Sequence, residues 1–167
     1  MELVIRKMEK EDVLAIDEEF ANQNWEKRTD ILTNYFLEQK KGKRQVLVAE
    51  INSQVAGYLT IVPKAIHGPF KDLLPEIVDF NVFERFQRMS IGQKLIKRAA
   101  YEVSFSTDIL TIGVGLHPGY GAAQRLYIKN GYVPDGSGIW YNNRQLKRGE
   151  SCLNNDDLVL YFSKKLV

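Results

Sequence analysis

Between Ile77 and Ser104 the sequence runs IVDFNVFERFQRMSIGQKLIKRAAYEVS, and its order of residue types describes a device for binding an anion. The apolar run Ile77 to Phe83 reads as a strand and Glu84 to Ser90 as a polar turn. Ile91, Leu95, Ile96, Ala99, Ala100 and Val103 then fall on one face of a helix. The first turn of a helix has backbone N–H groups without intrahelical acceptors, and the helix dipole puts positive charge at the same end. Phosphates bind at such places, so the segment points to a phosphate-bearing ligand. The nucleoside triphosphate loop G-x-x-x-x-G-K-[ST] is absent, as is the three-glycine dinucleotide fingerprint.

Two carboxylates, Glu76 and Asp79, belong to the same apolar strand. A carboxylate there is costly unless it has a partner, so each is a candidate for acid–base work. The two-residue period of a strand puts Glu76, Val78, Phe80 and Val82 on one face and Asp79 on the other, an assignment a bulge would exchange. His67 and His117 stand alone, with no second histidine or cysteine at ligand spacing, so no metal site is expected. Cys152 lies in a polar stretch without a neighbouring base, which makes it a poor nucleophile.

The elements that must position these residues follow from periodicity and turn chemistry. Glu2 to Lys7 reads as a first strand, and Glu9 to Asn22 as a helix with an acidic outer side. A second helix is expected over about Arg28 to Lys40, ended by Gly42. Gln45 to Ile51 and Val55 to Val62 form a hairpin across Asn52-Ser53-Gln54, and the proline-rich stretch Pro63 to Pro75 forms a loop. After the strand–turn–helix unit come a strand over Ile109 to Leu116, a short helix over Ala122 to Lys129, and strands over Gly138 to Asn142 and Leu158 to Ser163. Gly113 and Gly115 predict a bulge or a close backbone approach. The whole is α/β (α+β): a single mixed central sheet of about seven strands, flanked by about four helices.

The 167 residues are the length of one domain, and 44% hydrophobic with 26% charged residues is a globular composition. A net charge of +2 is too balanced for a typical nucleic-acid binder. No apolar run approaches a membrane span, so no membrane partner is expected. One cysteine and the lack of a secretory leader predict a cytoplasmic protein.

Two segments carry a family resemblance. Gln87-Arg88-Met89-Ser90-Ile91-Gly92 is similar to the motif Q/R-x-x-G-x-G/A, with Ser90 in place of the first glycine. Ser90 is small enough for close backbone approach if its φ is negative. Ala123-Gln124-Arg125-Leu126-Tyr127-Ile128-Lys129-Asn130-Gly131-Tyr132 fits A-x-x-L-Y-x-K-x-G-F/Y at every fixed position, with Tyr120 where an asparagine is common. Together, and in this order, they resemble the GNAT N-acetyltransferase superfamily across nearly the whole chain.

The resemblance implies a single GNAT domain over residues 1–167, its sheet splayed between the fourth and fifth strands, and acetyl-coenzyme A as acyl donor. The cofactor-binding residues it implies are Phe80, Val82, Gln87, Arg88, Met89, Ser90, Ile91, Gly92 and Gln93 with Tyr120, Ala123 and Tyr127. Arg88 and Arg85 would add charge toward the 3′-phosphate, and the Val82 backbone would polarise the thioester carbonyl. Tyr127 is the implied general acid for the leaving thiolate, and Glu76, ahead of Asp79, the implied base for the amine. Direct transfer in a ternary complex to a small-molecule or peptide amine is the activity implied. The alternatives are a non-catalytic acyl-coenzyme A-binding module and an interaction domain with a vestigial cleft. The acceptor site would be built from about Asp17 to Lys41 and Asn142 to Asp157, whose acidic and aromatic residues suit a cationic amine. Homodimers are common in the superfamily.

Overall fold

The computed structural model describes residues 1–166. Hydrogen bonding orders eight strands as β1-β2-β3-β4-β5-β8-β6-β7, in a mixed sheet accompanied by four helices. The strands are β1 (Leu3–Lys7), β2 (Gln45–Ile51), β3 (Gln54–Val62), β4 (Glu76–Val82), β5 (Ile109–Gly115), β6 (Val133–Tyr141), β7 (Arg144–Gln145) and β8 (Leu158–Lys165). The helices are α1 (Asp12–Asn22), α2 (Thr29–Lys40), α3 (Ile91–Val103) and α4 (Gly121–Lys129). The chain divides into two compact units: Met1–Val62 with Val78–Ala99, and Pro63–Ile77 with the chain from Ala100 onward.

In the first unit β1, β2 and β3 are antiparallel neighbours. The β2–β3 hairpin turns through Asn52 and Ser53, both left-handed at φ 48° and 66°, the geometry that matches strand twist in a two-residue loop. β4 runs antiparallel to β3, with Phe83 N–H donating to Ala56 O and the Thr60 hydroxyl to Val78 O. Val46, Leu47, Val48 and Ala49 are all buried, so both faces of β2 are covered; α2 packs on β2 and α1 on β3, with Ile16, Phe20 and Leu32 fully buried. The α1 helix begins at Asp12 rather than Glu9. Its carboxylate accepts the Glu9 N–H and a two-pronged bond from Arg6, which holds residues 9–11 in a turn.

In the second unit the first two residues of β4 pair in parallel with β5, Glu76 with Thr111 and Ile77 with Ile112, and that ladder extends no further. β8 pairs with β5 over the whole span from Ile109↔Lys165 to Gly115↔Val159. That register is continuous, so the bulge expected at Gly113 and Gly115 does not occur. Side chains, not backbone, approach these glycines: a Cβ would lie 2.9 Å from Val159 at Gly113 and 2.3 Å from the Tyr120 ring at Gly115. β6 starts at Val133, earlier than expected, because the strand continues past Pro134 through a register shift before Ile139. The eighth strand, β7, arises from a left-handed Asn142-Asn143 turn within a segment that sequence polarity marks as loop.

Candidate active site

The turn before α3 is built on two left-handed residues, Arg88 and Ser90, each at φ 62°. This corrects the expectation of a negative φ at Ser90. The serine adopts the conformation a glycine takes without penalty, at a cost on the order of 1 kcal/mol. Its carbonyl accepts the Lys94 N–H and so opens the helix, while the Ile91 side chain is buried and fixes the turn to the core. Gln87, Arg88 and Ser90 are exposed; Met89, Gly92 and Gln93 are half-buried. A tight left-handed turn entering a helix of thirteen residues is the backbone form of an anion cradle.

Of the two arginines considered for a phosphate, only Arg88 is uncommitted among the described residues. Arg85 is ion-paired with Glu19 and stacks over the Phe86 ring at 4.2 Å. The hydrogen bond to Glu19 raises its pKa. Beside the turn, the Gln87 side chain donates to Val82 O at 3.3 Å, and Phe80 and Val82 are half-buried on β4. Gly57 of β3 allows this approach, since a Cβ there would lie 2.6 Å from Asn81 O.

Asp79 has a left-handed backbone, φ 58°, which breaks the alternation of β4. Its carboxylate accepts four bonds within the first unit: from Arg28 Nη1 at 2.7 Å, Tyr35 at 2.9 Å, Tyr58 at 3.0 Å and Asn81 Nδ2 at 2.8 Å. Burial and the Asp79 charge push the Tyr35 hydroxyl up to about 12 and Tyr58 well above its ordinary value. Asp79 is therefore saturated as an acceptor and poorly suited to take a substrate proton. The acidic outer side expected of α1 is also largely absorbed. Asp17 is buried and accepts the Arg28 N–H and the Thr29 hydroxyl, and Glu19 holds Arg85.

In the second unit Glu76 is 6% exposed, and its Oε2 has no hydrogen-bond partner among the described residues. Burial pushes its pKa up to about 7. Tyr161 is its electrostatic neighbour, raised to about 12 by burial and by Glu76. Tyr161 packs edge-on to Trp140 at 5.9 Å, and only a glycine fits at Gly68, where a Cβ would come within 2.8 Å of the Tyr161 hydroxyl oxygen.

Tyr127 of α4 is buried, its ring 6.3 Å from Tyr132. Burial raises its pKa above the ordinary tyrosine value, so the hydroxyl keeps its proton at neutral pH. Ala123, one turn earlier, is half-buried, and Gln124 donates to Gly115 O at 2.9 Å. Tyr120 does not offer the amide donor of the common asparagine. Its hydroxyl donates to Asp156, which also binds His117 Nε2 at 2.8 Å. The Gly119 N–H donates to His117 Nδ1, so the proton of the neutral ring sits on Nε2. Sequence reasoning missed Arg28, Tyr35, Tyr58 and Tyr161; each is isolated in its own segment, and no spacing rule links them to Glu76 or Asp79.

The model of the acetyltransferase (GNAT) domain matches residues 42–134, more than half of the sequence and including both motifs. The chain belongs to the GNAT acetyltransferase family. GNAT structures share the fold throughout. An N-acetyltransferase from Staphylococcus aureus Mu50 is 17% identical with a TM-score of 0.75, covering 100% of both chains. A GNAT family acetyltransferase from Elizabethkingia anophelis with acetyl-CoA bound is 18% identical, TM-score 0.63, covering 98% of each chain. The ribosomal-protein-S18-alanine N-acetyltransferase from Escherichia coli is 13% identical, TM-score 0.70, over 99% of this chain and 94% of its own. Among curated proteins, none matches this sequence.

GNAT enzymes use acetyl-coenzyme A as acetyl donor, and the residues here fit it. The left-handed turn suits a diphosphate, Arg88 supplies uncommitted positive charge, and Gly57 lets β3 lie close beside Val82 of β4. Among the described residues there is no cluster of three metal-ligating side chains, and no helix is long and apolar enough to cross a membrane.

Proposed function

We propose that this protein is an N-acetyltransferase, one GNAT domain over residues 1–167, that acetylates a primary amine by direct attack within a ternary complex in the cytoplasm. Acetyl-coenzyme A supplies the activated acetyl group. The turn from Gln87 to Gln93 holds the diphosphate, with Phe80, Val82, Tyr120 and Ala123 along the rest of the donor.

The observation that carries this reading is the unpartnered Oε2 of buried Glu76. An orphaned carboxylate with a pKa near 7 is what proton abstraction from an ammonium group requires, whereas Asp79, which accepts from four donors, anchors Arg28 and two tyrosines rather than acting as a second base. Tyr127 is held protonated and donates to the departing thiolate, so one group takes a proton and the other gives one. Ser90 supports the same reading, because it adopts the backbone shape of the glycine it replaces.

The test is thiol release from acetyl-coenzyme A across pooled amines, amino acids and peptides, run beside thermal shift with coenzyme A. Release with at least one amine class is expected, together with a raised melting temperature. A thermal shift without release would turn the reading into a binding module. Absence of both would sink it.

A further inference from the structure

Arg28 leads into α2 and presents its guanidinium asymmetrically. Both hydrogens on Nη1 are used, one toward Asp79 at 2.7 Å and one toward the Tyr58 hydroxyl at 2.8 Å. Nε and Nη2 have no partner among the described residues, and the side chain is 29% exposed. Those two nitrogens form the parallel N–H fork that matches a carboxylate. The fork is also rigid. The Arg28 backbone N–H is tied to buried Asp17, the guanidinium lies 5.8 Å over the Phe20 ring, and Asp79 fixes Nη1.

Trp25 stacks on the same Phe20 ring, at 5.9 Å and 10°, with half of the Trp25 surface open. A preset donor fork and an open aromatic ring held on one Phe20 side chain are suited to a small molecule with an anionic group and a hydrophobic or planar body. The fork is anchored through Asp79 to β4, the strand that carries Phe80 and Val82.

Resting on the acetyltransferase reading, we propose that the Nε–H/Nη2–H edge of Arg28 is an anion-recognition subsite, and that the acceptor is a small amino-carboxylate of the amino-acid class. The carboxylate docks on the fork and leaves the amine free to react. This replaces the cationic acceptor suggested by acidic residues near α1, since Asp17 and Glu19 are spent on internal bonds.

The experiment compares amino acids with their own carboxamides as acceptors, in the full chain and in Arg28→Lys. The amine of a carboxamide is less basic and more often neutral, so chemistry alone would favour the amide. Preference for the acids in the parent protein, with a KM for acids raised about tenfold or more in Arg28→Lys and little change for amides, is expected. Equal or better use of amides, or equal losses for both series, overturns the proposal. A second readout needs no turnover: the Arg28 Nε–H resonance, followed on adding amino acids or amides, with and without coenzyme A. A shift with acids alone supports the subsite even if no thiol is ever released, an outcome that would sink acetyl transfer only. No shift with any acid overturns the subsite itself.

Discussion

Glu76 and Asp79 stand three positions apart on β4, and their carboxylates have opposite surroundings. Asp79 accepts from Arg28, Tyr35, Tyr58 and Asn81, whereas Glu76 Oε2 accepts from no described residue. The same functional group is thereby made a hydrogen-bonded anchor in one place and a buried, orphaned acid in the other.

Glu76 predicts a pH signature in stability and in rate. Its folded pKa, about 7, lies above the ordinary 4.5, so between those values the unfolded chain has released a proton that the folded chain retains. Stability therefore falls as pH rises through this window, by on the order of 3 kcal/mol, and levels off above it. Denaturant melts of Glu76→Gln should lack that slope. As a base Glu76 works only when ionised, so kcat/KM should climb with pH to a plateau above about 7. Glu76→Gln should lose about a hundredfold in rate together with that limb. A variant that kept the limb would place the base elsewhere.

Tyr127→Phe removes a proton donor and little volume. We expect kcat to drop about a hundredfold with the KM for acetyl-coenzyme A within a few-fold of the parent. Steady-state thiol release measures both, and an unchanged kcat would assign Tyr127 to packing.

Ser90 can be relieved or burdened. Ser90→Gly removes the left-handed penalty and should raise stability by about 0.5–1 kcal/mol. Ser90→Asp puts negative charge where a diphosphate is expected and should reduce the thermal shift produced by coenzyme A. Paired melting curves with and without ligand decide both.

Gly57→Ala would press a methyl group against Asn81 O, 2.6 Å from the ideal Cβ position. The strands must part there, at a cost of about 1–3 kcal/mol, and coenzyme A binding should weaken along with stability. Calorimetry separates the two effects.

The strand–turn–helix unit and the α4 motif were legible because each is local: turn residues and a helical stripe lie within a few positions of one another. The hairpin at Asn52-Ser53 was legible for the same reason. The left-handed state of Ser90 was not, since nothing in a serine's chemistry demands it; the neighbouring packing imposes it. Nor could Arg28 be linked to Asp79, 51 residues away, because an ion pair across such a distance leaves no periodic trace. The commitments of the acidic residues of α1 were hidden for a related reason. Charge pattern shows which side chains are polar but not whether a buried N–H has claimed them, as Asp17 was claimed by Arg28.

β8 lies between β5 and β6, although both precede it in the chain. During synthesis, then, β5 and β6 emerge as edges that cannot bond to each other in the final order. The gap closes only once residues through Lys165 have left the ribosome and inserted between them. Until that moment two unsatisfied strand edges face the cell, which makes this half of the nascent protein the part most open to mispairing and to chaperone capture.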